Sequence, residues 1–164
     1  VTKQIPKPES FLLDVDPKDK AEVLKRLEAI GSVEELDEDT LLLRLTKEAS
    51  EPEAEWRQLS ELVGPLARVQ PVLSDEQGHT QFPTGDVTVR FLKKPSDKQL
   101  KEFASKYRLQ LRDRNEFVPE QAAFHLDDPN ATYLPNLVEE ISTDKKIERA
   151  WASTRSRYRR VRKD

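Results

Sequence analysis

Residues 11–45 read FLLDVDPKDKAEVLKRLEAIGSVEELDEDTLLLRL, and the succession of patterns within them decides the fold. Phe11-Leu-Leu-Asp-Val15 is a short apolar run between Pro8 and Pro17, which has the character of a strand. A helix follows. Asp19 is a suitable N-cap, Val23, Leu24, Leu27 and Ile30 recur at helical spacing, and Gly31 stands where a helix C-terminus is usually closed. Val33-Glu-Glu-Leu36 and Thr40-Leu-Leu-Leu-Arg-Leu45 then read as two strands around the acidic turn Asp37-Glu38-Asp39, a hairpin.

Outward from this stretch, helical spacing returns between Glu51 and Val63. Pro52 lies in the first turn, Trp56, Leu59, Leu62 and Val63 lie along one face, and Gly64-Pro65 is the stop. A strand from Leu66 to Leu73 closes the unit, with Pro71 marking an end or an edge. Residues 78–85, rich in Gly, Thr and Pro, read as a linker, and the same order then begins again. Asp86–Leu92 alternates as a strand. Ser96 caps a helix bearing Leu100, Phe103, Ala104 and Tyr107, and Leu109–Leu111 and Ala122–Leu126 supply middle strands. Tyr133, Leu134, Leu137, Val138 and Ile141 mark a second helix, and Ile147–Trp151 a last strand. The two copies are offset by about 75–80 residues, well beyond the ~20–50-residue period of solenoid repeats.

The expected fold is therefore α+β, with two tandem β-α-β-β-α-β modules of the ferredoxin-like type. Each is a four-stranded antiparallel sheet with two helices on one face and the other face bare. The expected boundaries are a first module over 1–77, a linker over 78–85, a second module over 86–152 and a basic tail over 153–164.

Composition bounds the function. The chain has 164 residues, of which 36% are charged and 35% hydrophobic, so its cores are small and its solvated surface is large. Small modules of this kind bury only about 60% of their unfolded surface and gain from a partner. Cys is absent, which excludes disulfides and cysteine-type zinc sites. No run approaches the ~20 apolar residues that span a bilayer. Met is absent too, so a chain beginning at Val1 reads as a processed product or an excised fragment. Charge is unevenly spread: residues 1–83 carry 10 basic and 18 acidic side chains, and residues 84–164 carry 18 and 13.

Motifs for catalysis are missing. His79 and His125 have no His or Cys companion at metal-ligand spacing, and both read as structural or incidental. Glu34, Glu35, Asp37, Glu38 and Asp39 form a solvated acidic turn without the Gly and distal Glu of a calcium loop. With four glycines there is no phosphate cradle, and no Ser stands in a nucleophile elbow. The sequence thus gives no catalytic residue, no metal ligand and no cofactor, and the chain reads as a binding protein rather than an enzyme.

From Lys145 to Lys163 there are nine basic residues against Glu148 alone, with Trp151 and Tyr158 interleaved. Such a segment suits a solubilising terminus, an anionic or nucleic-acid surface, or an extended strand laid into a partner's groove. Ala122-Ala-Phe-His lacks the aromatic and basic signature of an RNA-recognition strand, so nucleic acid is the less favoured partner.

Val87-Thr-Val-Arg-Phe-Leu-Lys-Lys-Pro95, Tyr107-Arg-Leu109, Gln121-Ala-Ala-Phe-His-Leu126 and Lys146-Ile-Glu-Arg-Ala-Trp151 together resemble the N-terminal prodomain of subtilisin-type serine proteases, the fervidolysin-like kind. The likeness covers about residues 86–152, and the first module is similar to the same unit more loosely. The resemblance implies an intramolecular chaperone and inhibitor. Its sheet would pack on surface helices of a subtilisin-like protease domain, in cis or in trans, and its C-terminal extension would enter the substrate cleft. The partner-binding residues would then be Trp151, Ala152, Ser153, Thr154, Arg155, Arg157, Tyr158, Arg159 and Arg160, with the residue beside any scissile bond left open. The alternatives are a tandem ferredoxin-like adaptor or regulatory domain of a larger protein, and a nucleic-acid binder acting through the basic tail.

Overall fold

A computed structural model of the chain describes residues 3–47 and 51–155. The fold is α+β, with antiparallel strand pairing and four α-helices among the described residues. The chain divides into two compact units, residues 2–83 and residues 84–154.

The first unit runs β1 (Ile5–Val15), α1 (Lys20–Leu27), β2 (Gly31–Asp37), β3 (Thr40–Leu45), α2 (Pro52–Val63) and β4 (Ala67–Ser74). Its strands lie in the order β2-β3-β1-β4. Leu13 faces Leu41 on one side and Val69 on the other, so these three share a face with Phe11, Val15 and Leu43. All six are buried, as are Val23 and Leu27 of α1 and Trp56, Leu59 and Val63 of α2, whose helices pack on each other. The Trp56 indole N–H reaches the Val69 carbonyl at 2.7 Å, which gives a large buried ring a polar anchor.

The opposite face of this sheet departs from the bare surface expected. Leu12, Leu42 and Val72 lie on it and are buried, with Leu36 and Phe82 packed against them. The reason is legible in the register: Leu12 and Leu42 are direct partners, so the continuous runs Phe11-Leu-Leu and Leu41-Leu-Leu place apolar side chains on both faces. Beside them Asp14 accepts from Arg68 and Gln70 at 3.1–3.3 Å. Desolvation raises the Asp14 carboxyl above its ordinary value despite the Arg68 charge.

β5 (Thr80–Phe91) starts in the first unit, where Thr80 and Gln81 pair with Ser74 and Leu73 of β4, and from Thr84 it belongs to the second, which continues with α3 (Asp97–Tyr107), β6 (Leu109–Arg114), β7 (Gln121–Leu126), α4 (Leu134–Ser142) and β8 (Ile147–Arg155). Here β7 lies between β6 and β5, and β8 pairs with the other side of β5. The Leu92 N–H bonds to the Lys146 carbonyl and the Thr84 hydroxyl bonds to the Ser153 carbonyl, so β8 runs against β5. The core is aromatic: Phe103 of α3 meets Phe91, Tyr107 and Phe124 at centroid distances of 4.9–5.1 Å. A capping box opens α3, in which the Ser96 side chain accepts from the Gln99 N–H and the Gln99 side chain accepts from the Ser96 N–H.

Several boundaries differ from the sequence reading. Gly31 opens β2 instead of closing α1, because a Cβ there would stand 2.2 Å from the Arg44 carbonyl oxygen. β1 starts at Ile5, and its Pro6 and Pro8 sit at a register shift between Pro6 and Phe11, where a missing N–H is tolerated. Of the stretch expected as a linker, only the turn before Thr80 fills that role: Thr80–Gly85 belongs to β5, and Pro83 within it is buried. Likewise Ala152–Arg155, expected at the head of a free extension, is the end of β8.

Candidate functional site

On β5 and β7 the register pairs Val87 with Phe124 and Val89 with Ala122, and this is the face that Phe103 of α3 covers. The alternate pairs are Asp86 with His125, Thr88 with Ala123, and Arg90 with Gln121, so these six residues form the face turned away from α3. It is polar. A cleft of about 390 Å³ opens there, lined by Thr88, Ala123 and Gln121, by Arg114 at the end of β6 and by the β6–β7 loop with Phe117.

At one end of this face Asp86 is a buried carboxylate held by two partners. Its Oδ1 lies 2.8 Å from His125 Nδ1, and its Oδ2 accepts from the Arg112 guanidinium at 2.5 Å. A carboxylate this buried needs such charge-assisted bonds to stay in place. Next along β5, the Thr88 and Ser153 hydroxyls are 2.7 Å apart, and the Arg90 guanidinium donates to Gln121 at 3.0 Å. The Arg149 guanidinium stands 5.3 Å above the Trp151 ring on β8.

The rim of the cleft carries the most exposed large apolar side chain of the described residues, Phe117, at 93% of its full exposure. Its loop is tied down: the Asn115 side chain accepts from the Phe117 and Val118 N–H groups, and the Asn115 and Gln121 N–H groups bond to the Gln121 and Val118 carbonyls. An aromatic ring on a loop braced in this way loses little entropy when a partner covers it.

The residues expected to bind a partner divide into two groups. Trp151, Ala152, Ser153, Thr154 and Arg155 lie on β8, while Arg157, Tyr158, Arg159 and Arg160 lie outside the described residues. Ala152 is buried and Ser153 is engaged with Thr84 and Thr88, so these two hold β8 to its own sheet instead of reaching outward. Trp151 and Thr154 are half-buried, and Arg155 is exposed.

Each histidine has an orienting carboxylate that the sequence reading missed: His79 meets Asp75 at 3.0 Å, and His125 meets Asp86. The first pair is four residues apart and its spacing could have disclosed it. The second joins strands 39 residues apart and could be found only once their register was known. Among the described residues no group of three or more His, Cys, Asp or Glu side chains is placed to hold a metal ion. Phe117 was missed as well; its only local signal is an apolar pair, Phe117-Val118, inside a polar loop ending at Pro119.

No family model matches the chain, and no curated protein matches it. Among solved structures it is similar to the C. elegans NONO-1 homodimer structure, with a TM-score of 0.30 and 13% identity. That match covers 93% of this chain and 64% of the other, so the chain spans about two thirds of the length of that protein. A likeness of this size indicates neither fold nor function.

Proposed function

We propose that the chain is a non-catalytic protein-binding module built from two ferredoxin-like units, and that it acts as a prodomain-like folding assistant and inhibitor of a subtilisin-type serine protease. Each unit has the element order β-α-β-β-α-β, and the strand orders β2-β3-β1-β4 and β6-β7-β5-β8 match the split β-α-β layout. The observation that carries the proposal is the bond between Thr88, on the sheet face turned from α3, and Ser153 on β8. Through it the strand leading into the basic segment leaves from the border of the face that holds the cleft and Phe117.

Physically the two parts complement each other. A sheet face with a braced aromatic gives a docking area, and strand addition of the basic segment beyond Arg155 to a substrate groove would add main-chain hydrogen bonds. A surface complementary to a protease's late folding transition state speeds folding, and the same fit afterwards occludes the active site. Substrate hydrolysis by a subtilisin-type protease is the test. Micromolar amounts of the chain are expected to slow it, and Phe117→Ala or removal of residues 156–164 should each weaken inhibition about tenfold or more. Unchanged hydrolysis at those amounts would refute the protease assignment.

A further inference from the structure

A second cleft lies in residues 84–154, away from the face described above. It has a volume of about 440 Å³ and is formed by the end of β5, by α3 and by the turn preceding β8. That volume is within the ~300–1,000 Å³ of small-molecule sites. Its walls are of two kinds. Phe91, Phe103 and Pro95 are buried and give an apolar floor, and Leu92 at the mouth is 59% exposed. Around them stand four lysines, Lys93, Lys106, Lys145 and Lys146, with two carboxylates, Glu102 and Asp144.

The charges do not cancel locally. Asp144 is fully occupied: Oδ1 accepts from the Lys146 N–H at 3.0 Å, and Oδ2 accepts from the Tyr107 hydroxyl at 2.8 Å and from Lys106 Nζ at 3.2 Å. These bonds, the Lys146 N–H first, hold its carboxyl below the ordinary value. Lys106 is thereby spent on Asp144. Among the described residues no carboxylate lies within ion-pair distance of Lys93, Lys145 or Lys146. Lys93, Lys145 and Lys146 thus line the cleft with Glu102 as the one carboxylate left over, which leaves a net positive lining beside the apolar floor.

We infer that this cleft binds a small anionic amphiphile, a carboxylate on an aryl or alkyl body, with the carboxylate among Lys93, Lys145 and Lys146 and the apolar body against Leu92, Phe91 and Phe103. Burial of the body supplies affinity, and the ammonium groups select the anion. A neutral ligand of the same shape gains the first and not the second.

The test is a titration of the whole chain with 4-phenylbutyrate, followed by amide chemical shifts, beside the neutral 4-phenylbutanol. Saturable shifts confined to residues 91–106 and 144–146 are expected, with the alcohol about tenfold weaker or more. Lys93→Glu with Lys146→Glu should weaken the carboxylate about tenfold, and Leu92→Ala should weaken both ligands while the rest of the spectrum stays unchanged. Should the charge reversals disturb the fold, Lys93→Gln with Lys146→Gln gives the same comparison at smaller cost. Absent or scattered shifts, or equal affinity for acid and alcohol, would overturn the inference. So would an acidic peptide that shifts these residues where 4-phenylbutyrate does not, since the cleft would then belong to a protein partner.

Discussion

Asp144 shows how much a single side chain can organise. It closes the turn ahead of β8, fixes the Tyr107 hydroxyl, and turns Lys106 over the Tyr107 ring at 5.1 Å. Its carboxyl is only 12% exposed, and its bonds favour the ionised form. A carboxyl held below its ordinary value of 3.8 stabilises the fold at neutral pH, and that contribution is lost as pH falls below 3.8 toward the folded value. Asp144→Asn, which keeps the shape but not the charge, should cost about 1–2 kcal/mol at neutral pH. Urea midpoints measured down the acid limb should fall less steeply in the variant than in the parent. Parallel acid limbs would show that Asp144 is not ionised to any structural purpose. Trp56 is the counterpart in the first unit, a buried ring whose single polar atom is spent on the Val69 carbonyl.

Among the elements, the β2–β3 hairpin depends most on one residue type. Gly31 faces Leu45 across the ladder and approaches the neighbouring Arg44 carbonyl so closely that any Cβ meets backbone, which cannot swing aside as a side chain can. Gly31→Ala should therefore destabilise the chain by about 1–3 kcal/mol in denaturant unfolding, the range for forced overpacking. An unchanged midpoint would mean that the hairpin shifts freely. Elements of this kind are largely legible in the sequence: the helices are marked by Val23 and Leu27, by Trp56, Leu59 and Val63, by Leu100 and Phe103, and by Leu137 and Ile141, all of which are buried. Their ends are not. Gly31 looked like a helix stop because the sequence cannot show which carbonyl will crowd it. The proline-bearing start of β5 read as a linker, and that of β1 fell outside the strand expected from Phe11, because Pro6, Pro8 and Pro83 forfeit donors that an irregular ladder does not need.

For the whole molecule, the duplicated order of elements was legible because hairpins and short connections leave few ways to lay four strands side by side. The candidate site was not, because it is assembled across strands. Asp86, His125 and Arg112 come from β5, β7 and β6, and Thr88 meets Ser153 from a strand 65 residues on. The bare sheet face also failed as an expectation in the first unit, where consecutive leucines bury Leu12 and Leu42 on the side away from the helices. The proposed docking role therefore rests on the face of β5 and β7 with Phe117 beside it, and on the segment beyond Arg155. Calorimetric titration of the chain into a subtilisin-type protease whose nucleophilic serine is replaced by alanine isolates binding from cleavage. A one-to-one complex with a dissociation constant of about 1 μM or tighter is expected, and no heat of binding with the chain at about 100 μM would contradict the account.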